Sequence, residues 1–109
     1  MRTYYAEDGK LEDLHKRFRD HTVRFFSKHG MESVGYWVPE ENPDNTLVYI
    51  LTYPDKNSRT SSWAEFRTDP EWQSAAEESE KNGKLVKRVD STFLYATGYS
   101  PMKCLNTPK

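Results

Sequence analysis

The sequence lacks most of the features that announce a chemistry. It has one cysteine, Cys104, so no internal disulfide can form. That thiol sits in a terminal tail with no histidine near it in sequence, which argues against nucleophilic catalysis. There is no glycine-rich phosphate loop and no Gly-x-Ser-x-Gly turn. His15, His21 and His29 are spaced so that they leave a helix at different angles and heights, and no cysteine lies nearby, so no metal site is expected. Charge of one sign is missing too: 16 Lys and Arg face 17 Asp and Glu, for a net charge of -1. No basic run forms a stripe, which argues against nucleic acid as the main partner. Long apolar runs are absent. The longest, Leu47 to Tyr53, falls far short of a membrane span. The N-terminus, Met1-Arg2-Thr3-Tyr4-Tyr5, has no apolar signal core. These absences predict a cytoplasmic protein with no metal, no cofactor and no membrane insertion.

What the chain does have is aromatic side chains: three Trp, seven Tyr and five Phe. Each buries a large area, which offsets an apolar content of only 35%. The run Leu47-Val48-Tyr49-Ile50-Leu51-Thr52-Tyr53 is apolar or aromatic at almost every position and too short for an independent helix. Val, Ile, Thr and Tyr favour a pleated backbone, so it reads as a strand. A strand buried on one side alternates apolar with polar. This one does not, so both of its faces should be covered.

Around that strand the other elements come in order. Arg2 to Ala6 is a short first strand and Glu7-Asp8-Gly9 a turn. Leu11, Leu14, Phe18, Thr22 and Phe25 recur at helical steps between Lys10 and Lys28, with His21 and Phe26 flanking the stripe. Glu12, Asp13, Lys16, Arg17, Arg19, Asp20 and Arg24 form the expected solvated face, with Glu12–Lys16 and Asp13–Arg17 as (i, i+4) pairs. Gly30 stands where a left-handed cap ends the helix. Ser33 to Val38 is a strand with Gly35 and Trp37 on one face and Val34, Tyr36 and Val38 on the other. A second helical region is capped by Asn57, Ser58 or Ser62 and carries Arg59, Trp63 and Phe66 on one face. Asp69-Pro70 should break it, since Pro70 has no N–H and Asp69 is a good cap. Asn82-Gly83 ends the second piece, and Lys84 to Tyr95 is the last strand.

The order is β-α-β-β-α-β. Short connections and right-handed crossovers make it a ferredoxin-like α+β subunit: a four-stranded antiparallel sheet with the helices on one face. The third strand lies in the middle, beside the first. Its far face has nothing from its own chain to cover it, which predicts a homodimer through the open sheet face.

Several blocks along this pattern resemble the NIPSNAP family. They are Arg2-Thr3-Tyr4, Gly9-Lys10-Leu11-Glu12-Asp13-Leu14, His21, Lys28-His29-Gly30-Met31, Val34-Gly35-Tyr36-Trp37, Leu47 to Leu51, Arg59, Trp63, Phe66, Asp69-Pro70-Glu71-Trp72, Ser91-Thr92-Phe93-Leu94 and Tyr99-Ser100-Pro101. The resemblance spans residues 1–101, leaving 102–109 as a tail. It implies a dimeric α/β barrel of ferredoxin-like subunits and no particular activity. The wider fold superfamily includes cofactor-free monooxygenases, haem-binding enzymes and lactone isomerases, an analogy of fold alone.

Five residues are candidates for a ligand site. His21 borders the helical stripe and could act as a base or bind a polar group; the plainer role is a boundary histidine satisfied by a carbonyl or water. Arg59 could hold a carboxylate or stack on an indole, or pack its stem and pair at the surface. Tyr36, Tyr53 and Trp63 could edge an aromatic pocket, or belong to the core. If a small molecule binds, these residues are expected to converge between the first helix, the Arg59–Trp63–Phe66 face and the sheet. The expected role is that of a homodimeric ligand-binding or assembly protein, taking a small ligand or a partner. A small cofactor-free enzyme using the same cleft and a purely structural interaction protein are the alternatives.

Overall fold

The fold is given by a computed structural model that describes residues 1–101. The expected tail at 102–109, with Cys104, lies outside the described residues. The elements are β1 (Arg2–Ala6), α1 (Leu11–Arg17), a π-helical turn (Phe18–Thr22), α2 (Val23–Lys28), β2 (Glu32–Trp37), β3 (Thr46–Thr52), α3 (Lys56–Thr68), α4 (Pro70–Ser79) and β4 (Val86–Ser91). The four strands form one antiparallel sheet in the order β2-β3-β1-β4. The ferredoxin-like α+β architecture is as the sequence predicts, with β3 in the middle beside β1.

The first helical rod is continuous but carries one extra residue. The Val23 N–H reaches back to the Phe18 carbonyl, a step of five. One extra residue turns the remainder of the rod by about 100°. Phe26, expected at the flank of the stripe, is therefore swung into the centre and is 0% exposed. Arg17, expected on the solvated face, is only 8% exposed. It does not complete the expected (i, i+4) pair with Asp13. Its Nη1 lies 3.3 Å from Ser79 Oγ and 3.8 Å from Glu80, across on α4 and its C-cap.

The second helical region breaks where Pro70 demands it. Asp69 caps α4 by accepting from the Glu71 N–H, and Pro70 is its first residue. The cap of α3 is Asp55, which accepts from the Ser58 N–H at 2.7 Å, and not Asn57, Ser58 or Ser62 as the sequence suggested. Asp69 also meets His29 Nε2 at 2.7 Å and Lys28 Nζ at 2.8 Å, so the break is pinned to the end of α2. Gly30 comes next at φ +77°, the left-handed conformation that glycine adopts without cost.

Strand β3 does alternate in burial. Leu47, Tyr49 and Leu51 are buried under the helices, while Val48, Ile50 and Thr52 are half-buried on the opposite face. Tyr49 is the hub of the core, stacked on Tyr36 and Phe26 at 5.4 and 5.7 Å and edge-on to Tyr4 and Phe18. On the open face Val48 and Ile50 oppose Trp37 and Gly35. Trp37 is 50% exposed. Toward β4 this face turns polar, with Arg88 over the Tyr5 ring at 4.0 Å and bonded to Asp90. The full apolar cover expected of β3 is thus met on one side only.

Strand β4 ends at Ser91, short of the expected Tyr95. The reason is length of partner: β1 starts at Arg2, and the Thr92 N–H takes the Met1 carbonyl at 2.8 Å as its last rung. Beyond it Phe93, Leu94 and Tyr95 run on exposed by 61%, 53% and 55%.

Candidate ligand-binding site

The steps of four along α3 put Arg59, Trp63 and Arg67 on one side of the helix. That side faces the start of β1, where Arg2 points to the helical face of the sheet, and the segment after β4, which carries Phe93. Arg2, Arg59, Thr60, Trp63, Arg67 and Phe93 enclose an open cleft of about 260 Å³. The Arg2 guanidinium lies 4.4 Å from the Trp63 ring, and its Nε donates to the Tyr49 hydroxyl at 2.9 Å. The Arg59 guanidinium lies 3.6 Å from the Phe93 ring. Trp63 donates its indole N–H to the Tyr53 hydroxyl at 2.7 Å.

A smaller hollow of about 90 Å³ shares Arg59 and Phe93 with this cleft and is lined further by Ile50, Tyr53, Leu94 and Tyr95 among others. Asp55 borders it, with its carboxylate engaged at the α3 cap. The Arg59–Phe93 pair is the ridge between the two spaces.

These surroundings shift two of the groups. Burial works against the charge of Arg2, but the Tyr4 and Tyr49 oxygens outweigh it and hold its pKa above the ordinary value. Burial raises the Tyr53 hydroxyl, against the pull of the Trp63 N–H and the charges of Arg2 and Arg59. The 260 Å³ cleft is lined by no His, Cys, Asp or Glu among the described residues.

Of the five sequence candidates, Tyr53, Arg59 and Trp63 come together here. His21 and Tyr36 do not. Tyr36 belongs to the core stack on Tyr49, with its hydroxyl 2.6 Å from Ser33 Oγ. His21 lies in the π-helical turn, its Nδ1 3.4 Å from Arg24 Nη2, and borders a separate groove of about 230 Å³ against α4 with Asp20, Arg17 and Glu78. The expectation that His21 shares a cleft with Arg59 is corrected by that placement: the first rod presents His21 to α4, not to α3. Sequence reasoning missed Arg2, Arg67 and Phe93. Arg67 was legible as the next step of four beyond Trp63. Arg2 and Phe93 were not, because only the pairing of β1 with β4 brings these two sequence-distant residues beside α3.

Comparison with known proteins agrees with this architecture. The NIPSNAP family profile matches residues 1–101. The chain belongs to the NIPSNAP family. Similar solved structures include an uncharacterized NIPSNAP domain protein from Burkholderia xenovorans, 22% identical, with a TM-score of 0.78 over 93% of this chain and 95% of that one. A NIPSNAP family protein from Agrobacterium tumefaciens strain C58 is 20% identical, with a TM-score of 0.81 over 94% of both chains. A NIPSNAP family protein with unknown function from the same strain is 25% identical, with a TM-score of 0.79 over 92% of this chain and 87% of that one. No curated protein matches the sequence. NIPSNAP membership thus carries the fold and brings no reaction with it. Among the described residues no helix is long and apolar enough to cross a membrane.

Proposed function

We propose that this NIPSNAP protein is a homodimeric binder of a small molecule, held in the cleft of Arg59, Trp63 and their neighbours. The observation that carries the reading is the ridge of Arg59 on Phe93, which lines both the open cleft and the adjoining hollow and gives each a charged and an apolar group. Apolar surface with a few convergent polar groups is how small-molecule sites are built. The cleft lies below the roughly 300–1,000 Å³ of drug-sized pockets, so the ligand is small. Among the described residues the 260 Å³ cleft has no His, Cys, Asp or Glu on its walls, which favours binding over acid–base catalysis there. The even charge balance of the chain suits a small ligand better than a nucleic-acid backbone, and its single cysteine suits a reducing compartment such as the cytoplasm.

The second copy belongs on the open face of the sheet. Trp37, Val48, Ile50 and Thr52 form an apolar strip on β2 and β3 that the protein's own helices do not reach. Two such strips related by a two-fold axis cover one another, as isologous interfaces do. The polar Arg88–Asp90 side then lies at the rim, where charge is tolerated. Light scattering of the purified protein at micromolar concentration tests the dimer, and native mass spectrometry of the same sample tests for a retained ligand. A monomeric mass would overturn the dimer. A dimer that stays empty and whose thermal stability no small-molecule library alters would overturn the binding role.

A further inference from the structure

We infer that the ligand of this cleft is a small organic anion, a carboxylate or phosphate joined to a short apolar group. The inference rests on the cleft being a ligand site and adds the chemistry of what fills it.

Three arginines converge on one space. Arg59 and Arg67 flank Trp63 on α3, and Arg2 comes from β1. Arg17, Lys28 and Arg88 each have a carboxylate within 4 Å. Among the described residues Arg2, Arg59 and Arg67 have none. Like charges around a shared cleft repel one another, and a bound anion removes that cost.

The way two of them are held also matters. The guanidinium carbon of Arg2 lies 4.4 Å over the Trp63 ring and that of Arg59 3.6 Å over the Phe93 ring, distances that suit stacking. Stacking uses the flat face of a guanidinium and leaves its edge free, and the N–H donors lie along that edge. A fixed plane with a free fork is the geometry that takes a carboxylate or phosphate through two parallel hydrogen bonds. Arg2 donates its Nε to the Tyr49 hydroxyl and is also held by the Tyr4 hydroxyl, and a guanidinium has five N–H donors in all. The apolar group has a place as well: the hollow that opens from the same Arg59–Phe93 ridge has Ile50, Leu94 and Tyr95 on its wall, with Asp55, held at the α3 cap, and Lys56 beside them. Its small volume admits a short chain or part of a ring.

Isothermal titration with phenylacetate, phenyl phosphate and the neutral phenylacetamide tests this. The two anions should bind the wild-type protein at least tenfold more tightly than the amide. Arg59→Gln and Arg67→Gln should each weaken both anions at least fivefold and leave the amide unchanged. These side chains are partly or fully exposed, so the variants should keep the wild-type circular dichroism. Lys16→Gln, on the far helix, should change nothing and so exclude an effect of net charge. Equal affinity for phenylacetate and phenylacetamide would overturn the anion while leaving a ligand cleft in place. Anion binding untouched by both arginine variants would overturn the assignment to this cleft. No heat from any of the three, with no neutral fragment shifting the Trp63 indole resonance, would overturn the ligand reading itself.

Discussion

The indole N–H of Trp63 donates to the Tyr53 hydroxyl at 2.7 Å, and this one bond ties α3 to the end of β3. It sets the side of Trp63 that Arg2 meets. Replacing Tyr53 with Phe leaves the ring and orphans a part-buried N–H. Such a loss costs about 1 kcal/mol, or roughly 4–8 °C of melting temperature in a domain of this size. Thermal unfolding of Tyr53→Phe should show that drop. An unchanged melting temperature would mean that water satisfies the indole.

Phe26 is the residue that the π-helical turn moves into the core. It contacts Phe18, Tyr49, Trp63 and Phe66 and has no exposure. Phe26→Ala should cost about 3–5 kcal/mol, the range for a large buried aromatic. Urea unfolding monitored by circular dichroism measures it. A loss under about 1 kcal/mol would place Phe26 at the flank, as an uninterrupted α-helix would have it.

Asp69 makes stability depend on acid. Its bonds to Lys28 and His29, in that order of weight, and to the Glu71 N–H hold its carboxyl below the usual carboxylate range. A carboxyl depressed in the folded state contributes fully above its unfolded pKa of about 3.9 and loses that contribution as pH falls below it. Wild-type stability should therefore decline between about pH 4 and pH 2. Asn also caps helices well, so Asp69→Asn removes the charge and keeps the cap. Its urea midpoint should be lower at pH 6 and flatter below pH 4. Parallel curves for the two proteins would show that the charge contributes nothing.

Gly35 lets the Trp37 ring lie flat on the open sheet face. A Cβ at Gly35 would come within 2.7 Å of that ring. Trp37 is half-exposed, so the ring can swing away and the subunit should stay folded. The apolar strip would then lose its shape. Gly35→Ala should raise the dimer dissociation constant at least tenfold by sedimentation, with the far-ultraviolet spectrum unchanged. An unaltered constant would remove Trp37 from the proposed seam.

Much of the fold was legible because local signals agreed. Gly30, Asp69-Pro70 and the strand formers of β1 and β3 each mark a boundary that the chain obeys. The π-helical turn was not legible, since nothing in the side chains of Phe18–Thr22 distinguishes a step of five from a step of four. Its consequences, Phe26 inward and Arg17 buried, were hidden with it. The end of β4 was hidden for a different reason: Phe93, Leu94 and Tyr95 are good strand formers, and only the length of β1 stops the ladder. The site shows the same divide. Arg59, Trp63 and Tyr53 lie close in sequence and were found together; His21 was misplaced, and Arg2 and Phe93 lie far apart in sequence and meet only through the sheet.

The claim that this cleft is where the protein binds its ligand comes down to Trp63. The three tryptophans, Trp37, Trp63 and Trp72, give three indole N–H resonances in a nitrogen-15-labelled sample. Titration with phenyl phosphate should move the Trp63 signal in a saturable way and leave Trp72, packed between Phe25 and Phe66, in place. Saturable movement of Trp37 or Trp72 with Trp63 unmoved would contradict the account.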